Sequence, residues 1–186
     1  MTFSQQENLR PQTPVSQAKG DDDTAVMVDR ALWQMLRPSS QTDAFANAWL
    51  ALQSQFIGIV SKAALILPSS DKDNHMVPCA IWPKDAIIDS DMSATAERAI
   101  ADKRAVLRDM GKGAICICYP YLDEDRLLGA ALFRLEGSTQ QEARQAMRRL
   151  QWGGGWVELR DARTREHAIE AERDRGQAAI DVLVEL

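Results

Sequence analysis

Residues 114–136 read AICICYPYLDEDRLLGAALFRLE, two apolar runs of strand length on either side of the acidic turn Leu122-Asp123-Glu124-Asp125. Runs rich in aliphatic and aromatic residues that close on a turn of four or five polar residues predict an antiparallel hairpin. No other stretch of the chain constrains the fold as strongly, because such a pair must bury at least one face against something else.

The text before the hairpin supplies the rest of a sheet and its cover. Ile57 to Pro68 reads IGIVSKAALILP and ends in a Pro-Ser-Ser-Asp cluster, which predicts a buried strand; Val77 to Trp82 predicts a second, stopped by Pro83. Ser93 to Lys103 has high helix propensity with Ser93 at the N-cap position, and Ala105 to Arg108 then predicts a short strand ended by Gly111 and Gly113. Upstream, Phe45, Trp49, Leu52 and Phe56 fall on one helical stripe from Thr42 onward, and Val28, Leu32, Met35 and Leu36 predict an earlier helix stopped by Pro38.

After the hairpin, Ser138 with Gln141 predicts a capping box that opens a helix through Ala143, Met147 and Leu150. That helix meets Gly153-Gly154-Gly155, which predicts a kink or a close approach to another backbone. Trp152 and Trp156, one helical turn apart, are expected to anchor the terminal helix to the domain. From Leu159 the residues Ala162, Glu166, Ile169, Arg173, Gly176, Ile180 and Leu183 recur at alternating three- and four-residue steps, the spacing of a seam that faces a partner helix.

Strands that are mostly sequence neighbours, with one crossing helix, predict an α+β fold: an antiparallel sheet with helices packed on one face and a long C-terminal helix. The expected organisation is a disordered tail over residues 1–23, whose Gln, Ser, Pro and Thr have little to bury. A domain over 24–160 and a connecting or dimerisation helix over 161–186 follow.

Charge and cysteine usage narrow the function. A net charge of −5 argues against nucleic acid, since phosphate recognition needs clustered Lys and Arg, and Arg148-Arg149 is the one adjacent pair of arginines. No apolar run approaches the length that spans a bilayer, and no secretion signal is present, so the expected location is cytoplasmic. An odd count of three cysteines then predicts free thiols rather than disulfides.

Catalytic material is sparse. His75 and His167 are expected on the surface, leaving no stock for a triad or a histidine metal site. Cys116 and Cys118 alternate along one strand and share a face, as a redox pair or half of a metal site would, but nothing at the usual spacing supplies the other ligands, so they are expected to be small core side chains. Cys79 lies in an apolar strand beside Trp82 and is expected to be buried and inert. Gly111-Lys112-Gly113 lacks the following Ser or Thr of a phosphate loop, and Asp123, Glu124 and Asp125 lack the alternation of a calcium loop, so both predict turns. Trp82, ending its strand near a proline, is the aromatic candidate for a pocket rim.

The segment Tyr119-Pro-Tyr-Leu-Asp-Glu-Asp-Arg-Leu-Leu-Gly-Ala-Ala-Leu-Phe-Arg-Leu resembles the best-known stretch of GAF domains, a Pro-containing strand, a short polar turn and a Leu-Gly-small strand. AERAIADKRAVLRD, from Ala96 to Asp109, resembles their helix that leads into an edge strand, and with the flanking elements the resemblance runs from about Thr42 to Leu159. More narrowly, AIWP, LQWGGGWVEL and FANAWLALQ resemble GAF segments that precede the membrane anchor of bacterial efflux-type membrane-fusion adaptor proteins; any membrane contact would then be made by regions outside this chain.

The resemblance implies a non-catalytic sensory or regulatory domain that binds an unidentified small molecule in a pocket with Trp82, Cys79, Cys116 and Cys118 among its residues. It would signal through its terminal helices as a homodimer, with no metal and no assigned cofactor. The Asn-Lys-Phe-Asp-Glu set of cyclic-nucleotide binders and the Cys beside His of bilin binders are not in the sequence. Two alternatives stand beside this reading: a dimerisation spacer without ligand, and a thiol-dependent GAF-like reductase of free methionine sulfoxide, whose cysteine spacing Cys79, Cys116 and Cys118 do not reproduce.

Overall fold

The computed structural model describes residues 42–69 and 75–184. The expected tail over 1–23 and the expected helix around 24–36 lie outside the described residues. In chain order the elements are α1 (Thr42–Ile57), β1 (Val60–Pro68), β2 (Met76–Trp82), α2 (Ser90–Asp102), β3 (Val106–Gly111), β4 (Ala114–Asp123), β5 (Arg126–Leu135) and α3 (Gln140–Val184).

The five strands form one sheet in the order β2-β1-β5-β4-β3, with every neighbouring pair antiparallel. The hairpin expected around Leu122 is the β4–β5 pair, running from Ile115 opposite Leu135 to Asp123 opposite Arg126, and its two-residue tip holds Glu124 at φ 53°. The α+β class expected from sequence is therefore the observed one.

The helices, however, cover both faces of the sheet and not one. Side chains alternate along a strand, so each of β1, β4 and β5 offers two apolar faces. Ala63, Leu65 and Leu67, with Ile115, Ile117, Tyr121, Phe133 and Leu135, face α1 and the first turns of α3. Ala64, Ile66, Cys116, Cys118, Ala130 and Leu132 face α2, which contributes Met92, Ala96 and Ala99. The first layer carries large residues, including a fully buried Trp49 and Phe133; the second is mostly Ala and Cys around Met92, Ile66 and Leu132.

Local chemistry moves several helix starts from where they were expected. α2 begins at Ser90 because the Asp89 carboxylate accepts from the Met92 N–H at 3.0 Å, so Asp89, not Ser93, is the cap. The capping box of α3 is made by Thr139 and Glu142, not by Ser138 and Gln141: the Glu142 carboxylate accepts from the Thr139 N–H at 2.7 Å, and the Glu142 N–H donates back to the Thr139 hydroxyl at 3.3 Å. The Ser138 hydroxyl is buried without a partner.

Candidate functional site along the long helix

The triple glycine of α3 does not interrupt it. One helix of 45 residues runs from Gln140 to Val184, and the division expected at residue 161 falls inside it. The glycines serve close approach, but to side chains rather than to backbone. A Cβ on Gly154 would lie 2.8 Å from the Tyr121 ring, and one on Gly153 would lie 2.6 Å from the Gln53 amide and 3.1 Å from Trp49.

Two hydrogen bonds use that closeness. The Tyr121 hydroxyl, on β4, donates to the Leu150 carbonyl at 3.0 Å, and the Trp49 indole N–H, on α1, donates to the Gly153 carbonyl at 3.0 Å. Both donors are buried, and their rings meet edge to face at 6.0 Å. Burial pushes the Tyr121 hydroxyl well above its ordinary value, so it stays a donor at neutral pH. The sheet and α1 thus hold adjacent turns of α3.

A third joint lies about two turns further on. The Arg126 guanidinium, at the foot of β5, grips both Asp161 carboxylate oxygens at 3.0 and 2.5 Å and reaches Asp123 at 3.1 Å. Arg165 closes the ring, 2.9 Å from Asp161 and 3.4 Å from Asp123. The Arg126 guanidinium hydrogen-bonded to Asp161 holds its carboxyl below the usual carboxylate range. Beyond this ring, residues 164–177 are exposed.

Between the hairpin and α3 lies a groove of about 370 Å³. Leu128, Gly155, Leu159 and Ala162 give it an apolar floor; Asp123, Glu158 and Arg165 stand at its rim. A smaller hollow of about 140 Å³ sits under the end of α1, between Ile57, Ile59 and Ala146.

The residues expected to share a pocket are divided by the sheet. Cys116 and Cys118 are fully buried under α2, whereas Cys79 and Trp82, on the edge strand β2, are half-buried against the layer of α1 and α3. Cys79 is therefore less buried than expected. All three cysteines are free. Burial pushes the Cys116 thiol up to about 11 and the Cys118 thiol to about 12, so neither offers a thiolate at neutral pH.

Among the tryptophans, Trp156 is half-buried and packs on the core, but Trp152 is 88% exposed and anchors nothing. His75 and His167 are on the surface, His167 3.4 Å from Glu170. Among the described residues, no group of three His, Cys, Asp or Glu is placed to hold a metal ion, and no helix is long and apolar enough to cross a membrane.

The sequence matches no family model and no curated protein. The fold is similar to that of a putative GAF sensor protein from Burkholderia vietnamiensis, at 17% identity and a TM-score of 0.54, covering 83% of this chain and 99% of that one. It is also similar to the A. aeolicus nlh2 GAF domain in an inactive state, with 10% identity, a TM-score of 0.52, and 75% and 98% covered. A third similar structure is the reduced form of fRMsr of Staphylococcus aureus, with 11% identity, a TM-score of 0.52, and 73% and 93% covered. The fold is GAF-like.

Proposed function

We propose that this chain is a non-catalytic regulatory domain of the GAF type that binds a small molecule beneath α2 and reports its presence through α3. The observation that carries the reading is the fixing of one unbroken helix to the sheet at Leu150 and Asp161 and to α1 at Gly153, with the same helix continuing into solvent. A helix held at several points cannot stay still when its support shifts.

Strand β4 supplies the link. It carries Cys118 on the face toward α2 and Tyr121 on the face toward α3, three residues apart. The layer under α2 is the more adaptable one: most of its core side chains are Ala or Cys, Met92 is at its centre, and Met76 and Met110 stand at its border. A ligand that lifts α2 displaces β4 and, through Tyr121, the helix. Cys116 and Cys118 are then lining residues, and Cys79 and Trp82 are not.

The thiol-dependent reductase draws support from the likeness to fRMsr, but two protonated thiols and a third cysteine across the sheet make a poor nucleophile and relay. Three cysteines with no disulfide between them suit a reducing compartment such as the cytoplasm, and the adaptor-protein context belongs to the same proposal.

Thermal melting against a library of metabolites tests the reading. A ligand of the native state raises the melting temperature in proportion to the logarithm of its concentration. A library that leaves the midpoint unchanged favours the ligand-free spacer.

A further inference from the structure

Trp152 is 88% exposed on the outer face of α3, and the half-buried Trp156 and Leu159 follow it at steps of four and three. On α1, Phe56, whose carbonyl accepts from the Arg149 guanidinium, is 42% exposed. Among the described residues no element lies over Trp152.

We propose that the chain's own residues 24–36 cover this strip, lying as a helix parallel to α3 with Val28 on Trp152, Leu32 on Trp156 and Met35 on Leu159. The inference goes beyond the regulatory reading and does not depend on it.

The place where the chain enters α1 is the first argument. α1 runs antiparallel to α3: Phe56 lies against Arg149, Trp49 against Gly153, and Phe45 under Arg160 with its ring 5.8 Å from the guanidinium carbon. Continuing that run puts Thr42 beside α3 about one turn past Arg160. The five residues 37–41, which include Pro38, then link a helix ending at Leu36 to Thr42, an ordinary length for neighbouring antiparallel helices. A helix antiparallel to α1 is parallel to α3, and its last turn comes close to Leu159.

Spacing and charge agree with that entry. Val28, Leu32 and Met35 are separated by four and three residues, as Trp152, Trp156 and Leu159 are, so the three contacts form together in a parallel pair. Asp29, Arg30 and Arg37 fall on the flank or back of the Val28, Leu32 and Met35 face, so no charge is buried. The same register carries Asp21, Asp22 and Asp23 alongside residues 145–147, between Arg144 and Arg148. Both arginines are exposed and have no ion pair among the described residues. A parallel second copy over these turns would set the same two arginines against themselves, which disfavours it as the occupant.

Oxidative cross-linking of the full chain tests the proposal, with Cys79→Ser as background and the buried Cys116 and Cys118 left in place. Val28→Cys with Trp152→Cys, and Met35→Cys with Leu159→Cys, each close a disulfide within one chain, read as a monomer of faster mobility on a non-reducing gel. Arg30→Cys with Trp152→Cys closes about tenfold more slowly, because a seated helix raises the effective concentration on one face only. Asp21→Lys/Asp22→Lys/Asp23→Lys slows the link between positions 28 and 152 roughly threefold, and adding Arg144→Glu/Arg148→Glu restores it.

Equal rates from positions 28 and 30 overturn the proposal, as does a link that joins two chains, which gives the strip to a second copy. A faster link from position 28 to position 159 than to 152 marks an antiparallel helix and overturns it too. So does a charge reversal without effect, or one that the arginine changes do not rescue, because the register then fails at its acidic end. A chain that cross-links as expected while no metabolite moves its melting temperature keeps this inference and favours the ligand-free spacer.

Discussion

The Tyr121 hydroxyl donates a hydrogen bond of 3.0 Å to the Leu150 carbonyl, joining β4 to the third turn of the long helix in a buried setting. The carbonyl sits in the interior of α3, where the helical ladder also uses it. Tyr121→Phe therefore removes one hydrogen bond and leaves no buried acceptor orphaned. The expected loss is about 1 kcal/mol, a fall of roughly 2–6 °C in melting temperature with the fold retained. A variant that melts with the wild type shows that the bond contributes nothing.

The three consecutive glycines of α3 should respond in opposite senses. Gly155→Ala meets no atom within 4 Å, so the better helix propensity of alanine stabilises by roughly 0.5–1 kcal/mol. Gly154→Ala forces a Cβ to 2.8 Å from a ring fixed by its own hydrogen bond, and overpacking of this kind costs about 1–3 kcal/mol before the propensity gain. Gly153→Ala falls between, because the nearest atom belongs to the mobile end of Gln53 although Trp49 stands behind it. Chemical denaturation of the three single variants checks the order; equal effects at all three positions contradict the packing described.

Alkaline pH should weaken the fold through the two thiols under α2. Their folded values, about 11 for Cys116 and about 12 for Cys118, lie above the ordinary 9.0, so the native state keeps protons that the unfolded chain releases. Their contribution is complete below pH 9 and is lost as pH rises toward those values, with a slope of about 1.4 kcal/mol per pH unit for each thiol. Urea unfolding at a series of pH values should show this decline, flattened between pH 9 and 10 in Cys116→Ala/Cys118→Ala. In a labelling time course at neutral pH, Cys79 reacts first, and Cys116 and Cys118 react only through global opening. Rapid labelling of all three cysteines would remove the case against thiol chemistry.

The sheet was legible because its evidence is local. The run from Ala114 to Glu136 sets two apolar stretches on either side of an acidic turn within two dozen residues, and the structure pairs it as expected. What lay on each face was less so: Ser90 to Asp102 carries no sign of which side of the sheet it will cover, and both faces of β4 are apolar. That is why Cys116 and Cys118 shared a predicted pocket with Cys79 and Trp82 and are separated from them by the sheet. Trp152 illustrates a different limit. Two tryptophans one turn apart suggest an anchor, but the inward face of α3 is set by Ala143, Ala146, Leu150, Gly153 and Val157, and Trp152 points away from it. The Arg126–Asp161 joint, 35 residues apart in sequence, left no pattern to read.

Hydrogen exchange of α3, compared between the wild type and Tyr121→Phe, bears most directly on the claim that the helix carries the state of the sheet. The expected result is a loss of amide protection that starts at β4 and spreads along α3 through residues 143–161. Protection lost in the strands alone, with α3 unchanged, would show the helix to be a passive appendage and contradict its role as the output of the domain.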